Sequence, residues 1–300
     1  MVSKEMENVI SMLKGFQESA GEITIAKVRE GMDQLGKMGK LPKDVKCKPV
    51  IAGSVPAEWI TTPNSESQKV VLYLHGGGYV AGSIASYRDL VARISSVSKA
   101  RILILEYRLA PEFPFPNALE DSVAAYKWLV STENINPNNI IIAGDSAGGG
   151  LTLATAIKLR NEGFPLPIAI VCLSPWTDLA GTGESLKTNG EIDPFISLEM
   201  FEICARTYLE TTDPCNHLAS PLYADLQGLP PLLIQVGTSE VLLDDSIRFA
   251  ERAKTAGVDV RLKIWKDMIH IFAIFAIFTP ESRQAIEQIG EFMQQFFVKI

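Results

Sequence analysis

Histidine is scarce in this 300-residue chain: the three are His75, His217 and His270. Any chemistry that needs an imidazole near neutral pH therefore has few candidates. Cysteine is nearly as sparse. Cys47, Cys172, Cys204 and Cys215 show no CxxC or other metal-type spacing, and Cys172 lies inside an apolar run, so reduced structural thiols are expected and no metal or organic cofactor is implied. No run of Lys and Arg occurs, and the formal net charge is −7 with a pI near 5.2. Neither nucleic acid nor an anionic membrane surface is an expected partner. The longest apolar stretch, IFAIFAIF at 271–278, falls far short of the ~20 residues of a bilayer span, so no membrane span is expected. The amino-terminal MVSKEMENVISMLKGF carries acids and lacks the basic-then-apolar layout of a signal peptide, which makes a cytoplasmic location the expectation.

What remains is an ordinary globular composition, 47% apolar and 21% charged, with length for one large α/β domain and an appendage. Met6, Ile10, Leu13 and Phe16 recur at helical spacing, and Ile25, Val28, Met32 and Leu35 do so again, so two amphipathic helices open the chain. They precede any strand and have no place in a sheet; a lid and a packing arm are both open to them. Runs at 45–51 and 55–61 flank Ala52-Gly53-Ser54 and read as an antiparallel pair. Strands at 69–74, 101–107, 139–143, 168–173, 231–236 and 258–265 then alternate with helices at 86–98, 117–131, 151–161, 244–256 and 280–297. That alternation requires crossover connections, hence a mostly parallel sheet with helices on both faces. A long insert, 177–228, interrupts it and contains a helical segment at 197–209.

The order of the chain centres on NNIIIAGDSAGGG at 138–150: an apolar β-branched run, a cluster of small residues, and a helical pattern. Gly144-x-Ser146-x-Gly148 fits a nucleophile elbow, in which a strained turn lifts a serine hydroxyl off the end of a sheet. The glycines leave room where side chains would meet the neighbouring strand and helix. No Lys-Ser or Lys-Thr closes the loop, which excludes a P-loop, and the glycine spacing does not fit a dinucleotide fingerprint. After the run ending at Leu74 comes His75-Gly76-Gly77-Gly78, a turn that can aim several backbone N–H groups at one oxygen.

With these two motifs the chain resembles the hormone-sensitive lipase family of the α/β-hydrolase superfamily, the bacterial carboxylesterases with an HGGG loop and a GDSAG elbow. Glu106-Tyr107-Arg108-Leu109-Ala110-Pro111-Glu112, Leu119-Glu120-Asp121 and Ser174-Pro175-Trp176 follow in the expected order. The resemblance runs from about residue 45 to the end. It implies an α/β-hydrolase fold at 45–300, with residues 1–44 and part of 177–228 forming a helical cap. A serine nucleophile needs a base. His75 belongs to the glycine loop, His217 lies in the insert, and His270 follows both the serine and a strand, so the order serine, acid, histidine selects His270. The acid belongs after the strand 231–236, where the family usually has aspartate; the matching residue here is Glu240, and Asp244 is the alternative. Asp244 and Asp245 also have a plainer use, capping the helix they open.

The mechanism this implies is attack of Ser146 on an ester carbonyl, His270 taking the proton and the N–H groups of Gly77, Gly78 and Ala147 receiving the oxyanion. Esters with short to medium acyl chains are the expected substrates. A ligand-binding receptor built on the same fold, or an amidase or lactonase with the same triad, are the competing readings. The apolar stretch 271–278 exceeds what one loop needs for burial, so association into a homodimer through the carboxy-terminal region is expected.

Overall fold

The computed structural model describes residues 2–19 and 21–297. Two helices open it, α1 (Lys4–Ser19) and α2 (Ile25–Met38). The apolar face of α1 buries Met6, Val9 and Leu13 in a cluster with Met268, Ile269, Phe272 and Phe275, whereas Phe16, at the end of the same stripe, is 56% exposed. Thr24 caps α2 by accepting the Lys27 N–H at 3.3 Å. The hairpin follows as β1 (Lys46–Ala52) and β2 (Val55–Thr61), joined at Gly53, whose φ of +71° suits a residue without a Cβ.

The alternating unit then runs β3 (Glu66–Leu74), α3 (Ile84–Ser98), β4 (Ala100–Leu105), α4 (Asn117–Ser131), β5 (Ile140–Asp145), α5 (Ser146–Asn161) and β6 (Ala169–Leu173). Within the insert lie α6 (Ser185–Thr188) and α7 (Leu198–Leu209). The chain ends with β7 (Leu232–Gly237), α8 (Leu243–Thr255), β8 (Val260–Trp265) and α9 (Pro280–Phe296). The strands form one sheet in the order β1-β2-β4-β3-β5-β6-β7-β8. β1 with β2 and β2 with β4 are antiparallel, and every other pair is parallel. Every residue of β5 and β6 is buried, as expected of central strands covered by helices on both faces. β8, at the edge of the sheet, has only half-buried and exposed residues.

Two regions depart from the periodicity. α5 begins at Ser146 and not at 151, so three consecutive glycines lie in its first turns. Glycine costs about 1 kcal/mol per helical position, so propensity argues against helix there; packing decides otherwise, since a Cβ on Gly149 would lie 2.9 Å from Pro175 and one on Gly150 2.1 Å from the Trp176 carbonyl. The stretch 271–278 is interior. Ile271, Phe272, Ala273, Phe275 and Ala276 are each at most 3% exposed, in and around a 3-10 turn over Phe272–Phe275, with only Phe278 reaching 39%. Its apolarity is used up inside the chain, against α1 and α9, which removes the ground on which a dimer through this stretch was expected.

Candidate active site

β5 runs straight into α5, and the turn between them sets Ser146 at φ +53°, a left-handed conformation costing a residue with a Cβ on the order of 1 kcal/mol or more. The close fit beneath the turn fixes it. A Cβ on Gly144 would come within 2.3 Å of the Gly148 carbonyl, and one on Gly148 within 2.0 Å of the Leu74 carbonyl at the end of β3. Ala147 is the second residue of α5, where backbone N–H groups have no partner within the helix.

The glycine loop is tied to this turn through Asp145. Its fully buried carboxylate accepts the Gly76 N–H at 3.1 Å, the Tyr73 hydroxyl at 2.9 Å and the Tyr87 hydroxyl at 2.8 Å. Burial pushes this carboxyl up to about 6, against the opposing effect of the Tyr87 and Tyr73 hydrogen bonds. Gly77 and Gly78 follow at φ +116° and +63°. His75 stacks on Tyr107 at 4.3 Å, and its Nδ1 lies 2.8 Å from the Gly76 carbonyl. Burial lowers its pKa to about 4, so the ring is neutral and serves the shape of the loop. His217 is exposed on the insert.

His270 follows β8 and is 1% exposed. Its Nδ1 lies 2.7 Å from Oε2 of Glu240, a fully buried residue in the loop between β7 and α8. The other carboxylate oxygen accepts the Gly237 N–H at 2.6 Å and the Ser174 hydroxyl at 2.8 Å. Ser174 Oγ in turn accepts the Ile271 N–H at 3.3 Å, linking the loop after β6 to the one that carries His270. Burial works against charging the imidazole, but the hydrogen bond and charge of Glu240, with the charges of Asp193 and Asp145, outweigh it and hold its pKa above the ordinary 6.5.

Asp244 points elsewhere. Its Oδ2 accepts the Ser185 N–H at 2.9 Å, and its own N–H donates to the Ser185 hydroxyl at 3.0 Å. Its carboxylate therefore serves the start of α6 and not its own helix, whose N-cap residue Leu242 makes no side-chain cap; the Ser185 hydroxyl accepts in the first turn of α8 instead. Asp245 accepts the N–H groups of Thr177 and Asp178 at 2.8 and 2.9 Å, and burial together with the charge of Asp178 raises its pKa to about 8.

Ser146, His270, Gly77 and Gly78 line one narrow cavity of about 40 Å³. Its other walls are apolar: Val28 and Met32 from α2, Phe195 and Ile196 from the insert, and Met200 and Phe201 from α7. Residues 71–274 match the α/β-hydrolase fold family. An acetyl-hydrolase of Streptomyces hygroscopicus is 40% identical over 297 residues, 98% of this chain and 97% of that protein. An esterase of Acinetobacter venetianus is 35% identical over 94% of this chain and 93% of its own. A crystal structure of an esterase from the bacterial hormone-sensitive lipase family superposes with a TM-score of 0.96 at 45% identity, covering 99% of this chain and 100% of that one. The chain belongs to the hormone-sensitive lipase family of α/β hydrolases. It is a carboxylesterase by that membership, with the expected fold. Among the described residues no cluster of three or more His, Cys, Asp or Glu could hold a metal ion, and no helix is long and apolar enough to cross a membrane.

For this family esterase, sequence reasoning singled out neither the anchoring role of Asp145 nor Ser174 and Asp193, all buried. Asp145 sits inside the elbow motif and Ser174 inside the Ser-Pro-Trp stretch, so both were in view without a partner. Their partners lie 69 and 66 residues away, in Gly76 and Glu240.

Proposed function

We propose that Ser146 is the nucleophile, His270 the general base, Glu240 the acid that orients it, and the N–H groups of Gly77, Gly78 and Ala147 the oxyanion hole. The observation that carries this reading is the 2.7 Å contact between His270 Nδ1 and Glu240, made at a cavity that Ser146 shares with the glycine loop. With Nδ1–H donated to Glu240, Nε2 is the free base. It takes the Ser146 proton as Oγ bonds to the carbonyl carbon, and the N–H groups meet the charge that collects on the carbonyl oxygen. The imidazolium gives that proton to the departing alkoxide, leaving the acyl-enzyme. A water molecule then repeats the sequence, transferring its proton to His270 and its hydroxyl to the acyl carbon, and Ser146 is released as the alcohol.

Esters with short to medium acyl chains are the proposed substrates, supported by the apolar lining of the cavity and by one relative that bears the name acetyl-hydrolase. A panel of aryl esters of increasing acyl length, run beside an aryl amide and a lactone, tests this. Turnover falling with chain length is expected; tight binding of a small ligand without turnover of any ester would replace the reading with a receptor, and a preferred amide or lactone would change the bond.

Residues 1–44, with part of 177–228, form the cap in this proposal, since Val28, Met32, Phe195 and Ile196 wall the cavity. Met32→Ala is expected to shift preference toward longer acyl chains by about tenfold per methylene accommodated. An unchanged chain-length profile in the folded variant would reduce α2 to a packing arm. A reducing, cytoplasmic setting suits the exposed free thiols of Cys47 and Cys215. A homodimer through the carboxy-terminal region is proposed; with 271–278 interior, the surface that region offers is the edge strand β8, where Ile264 is 42% exposed. Sedimentation at micromolar concentration is expected to give twice the chain mass; a monomer there refutes it.

A further inference from the structure

We propose that the strap 189–193 of the insert sets the position of the Glu240 carboxylate, with Asn189 and Asp193 as positioning residues. This rests on Glu240 being the triad acid.

The backbone around Glu240 is held from the cap side. Asn189 Nδ2 donates to the Thr238 carbonyl at 3.1 Å and to that of Glu240 itself at 2.9 Å. The next N–H along the chain, that of Val241, donates to Asp193 Oδ2 at 2.9 Å. Two side chains from one five-residue strap thus hold three backbone groups on either side of the acid. The same Asp193 reaches the wall of the cavity: its Oδ1 accepts the N–H groups of Phe195 at 2.8 Å and Ile196 at 3.1 Å. The Phe195 ring lies 5.8 Å from the ring of His270. Acyl wall and acid loop are therefore fastened to one carboxylate.

Asp193 is 1% exposed, and among the described residues no Lys or Arg forms a salt bridge with it; the ionisable groups facing it are His270 and Glu240. Burial pushes its carboxyl up to about 6. A carboxyl kept in such a place costs stability that an apolar residue would not, so its use lies in the three N–H groups it gathers. Glutamate makes such a device necessary. It has one more rotatable bond than aspartate, and its backbone must stand further from the imidazole, so the location of residues 238–241 decides where the carboxylate ends. Gly237 and Ser174 hold the tip of the side chain, and the strap holds its root.

A residue that acts through Glu240 should affect kcat, not KM, and only while Glu240 is present. The test measures kcat, KM and melting temperature for Asn189→Ala, Asp193→Asn, Glu240→Gln and the two doubles with Glu240→Gln, on a short-chain aryl ester. Each strap variant is expected to lower kcat about ten- to a hundredfold with KM within about twofold, and to lower it no further when added to Glu240→Gln. Full kcat in folded Asn189→Ala and Asp193→Asn, with Glu240→Gln inactive, overturns the positioning role alone; so do losses that add in full to that of Glu240→Gln. An active Glu240→Gln instead removes the acid assignment and the positioning role with it. Asn189 is only half-buried, so its variant tests the strap even where Asp193→Asn fails to fold.

Discussion

Ser146→Ala is expected to lower kcat by about a millionfold, and His270→Ala by a similar factor, with the double variant no worse than either. The reason is chemical interdependence. Without the hydroxyl there is no nucleophile for His270 to activate, and without Nε2 the Ser146 proton has no acceptor, so each loss already contains the other. What survives should come from the glycine loop and from binding, which neither variant touches. Stability should separate them. Alanine keeps the Cβ that already tolerates φ +53° at position 146, so Ser146→Ala should melt with the parent. His270→Ala empties a buried site and leaves Glu240 Oε2 without its 2.7 Å partner, a loss on the order of 1–3 kcal/mol. Rates measured well below both melting temperatures, with circular dichroism to show the fold, check this. Retention of most activity by either folded variant would end its assignment.

The parts of the fold that were legible are those where a local pattern and the tertiary environment agree. Strands such as β5 and β6 read as short apolar runs because both faces are covered, and the crossovers between them follow from the alternation with helices. Where packing overrules pattern, sequence reading stops. The helical start at Ser146 depends on Pro175 and Trp176, which fill the space that Gly149 and Gly150 leave. The fate of 271–278 depends on α1, more than 250 residues earlier, whose Met6, Val9 and Leu13 help to cover it. An apolar octapeptide looks the same whether a neighbour covers it or not.

The candidate site divides along the same line. Ser146 and the glycine loop carry motifs whose spacing reports a local backbone, and His270 follows from scarcity and chain order. Asp193 had no such signal. A buried aspartate between Ile192 and Pro194 reads as an ordinary loop residue until its three N–H donors, two of them local and one in the acid loop, are seen together.

Glu240→Gln is expected to reduce kcat by about 10⁴, and Asp244→Asn to leave it within about twofold while lowering stability by less than about 0.5 kcal/mol. Both residues lie between β7 and the first turn of α8, and sequence alone left them in competition. Their partners differ. Glu240 Oε2 lies 2.7 Å from His270 Nδ1, so a glutamine there can turn its amide N–H₂ toward the ring, favour the tautomer with Nε2 protonated, and leave no base facing Ser146. Among the described residues the Asp244 carboxylate accepts from the Ser185 N–H at the start of α6 alone, and an asparagine oxygen can accept that bond nearly as well. The pH profile gives an independent reading. As the proposed general base His270 must be neutral to act, and its pKa is held above 6.5 because the hydrogen bond and charge of Glu240, with Asp193 and Asp145, exceed the opposing effect of burial. In the parent enzyme kcat/KM should therefore be lost as pH falls through a midpoint above that value. Glu240→Gln removes the largest raising influence, so the midpoint of its residual activity should move to lower pH; Asp244→Asn should leave it in place. Collapse of kcat in Asp244→Asn with Glu240→Gln nearly unaffected, or an unmoved midpoint in Glu240→Gln, would reverse the assignment.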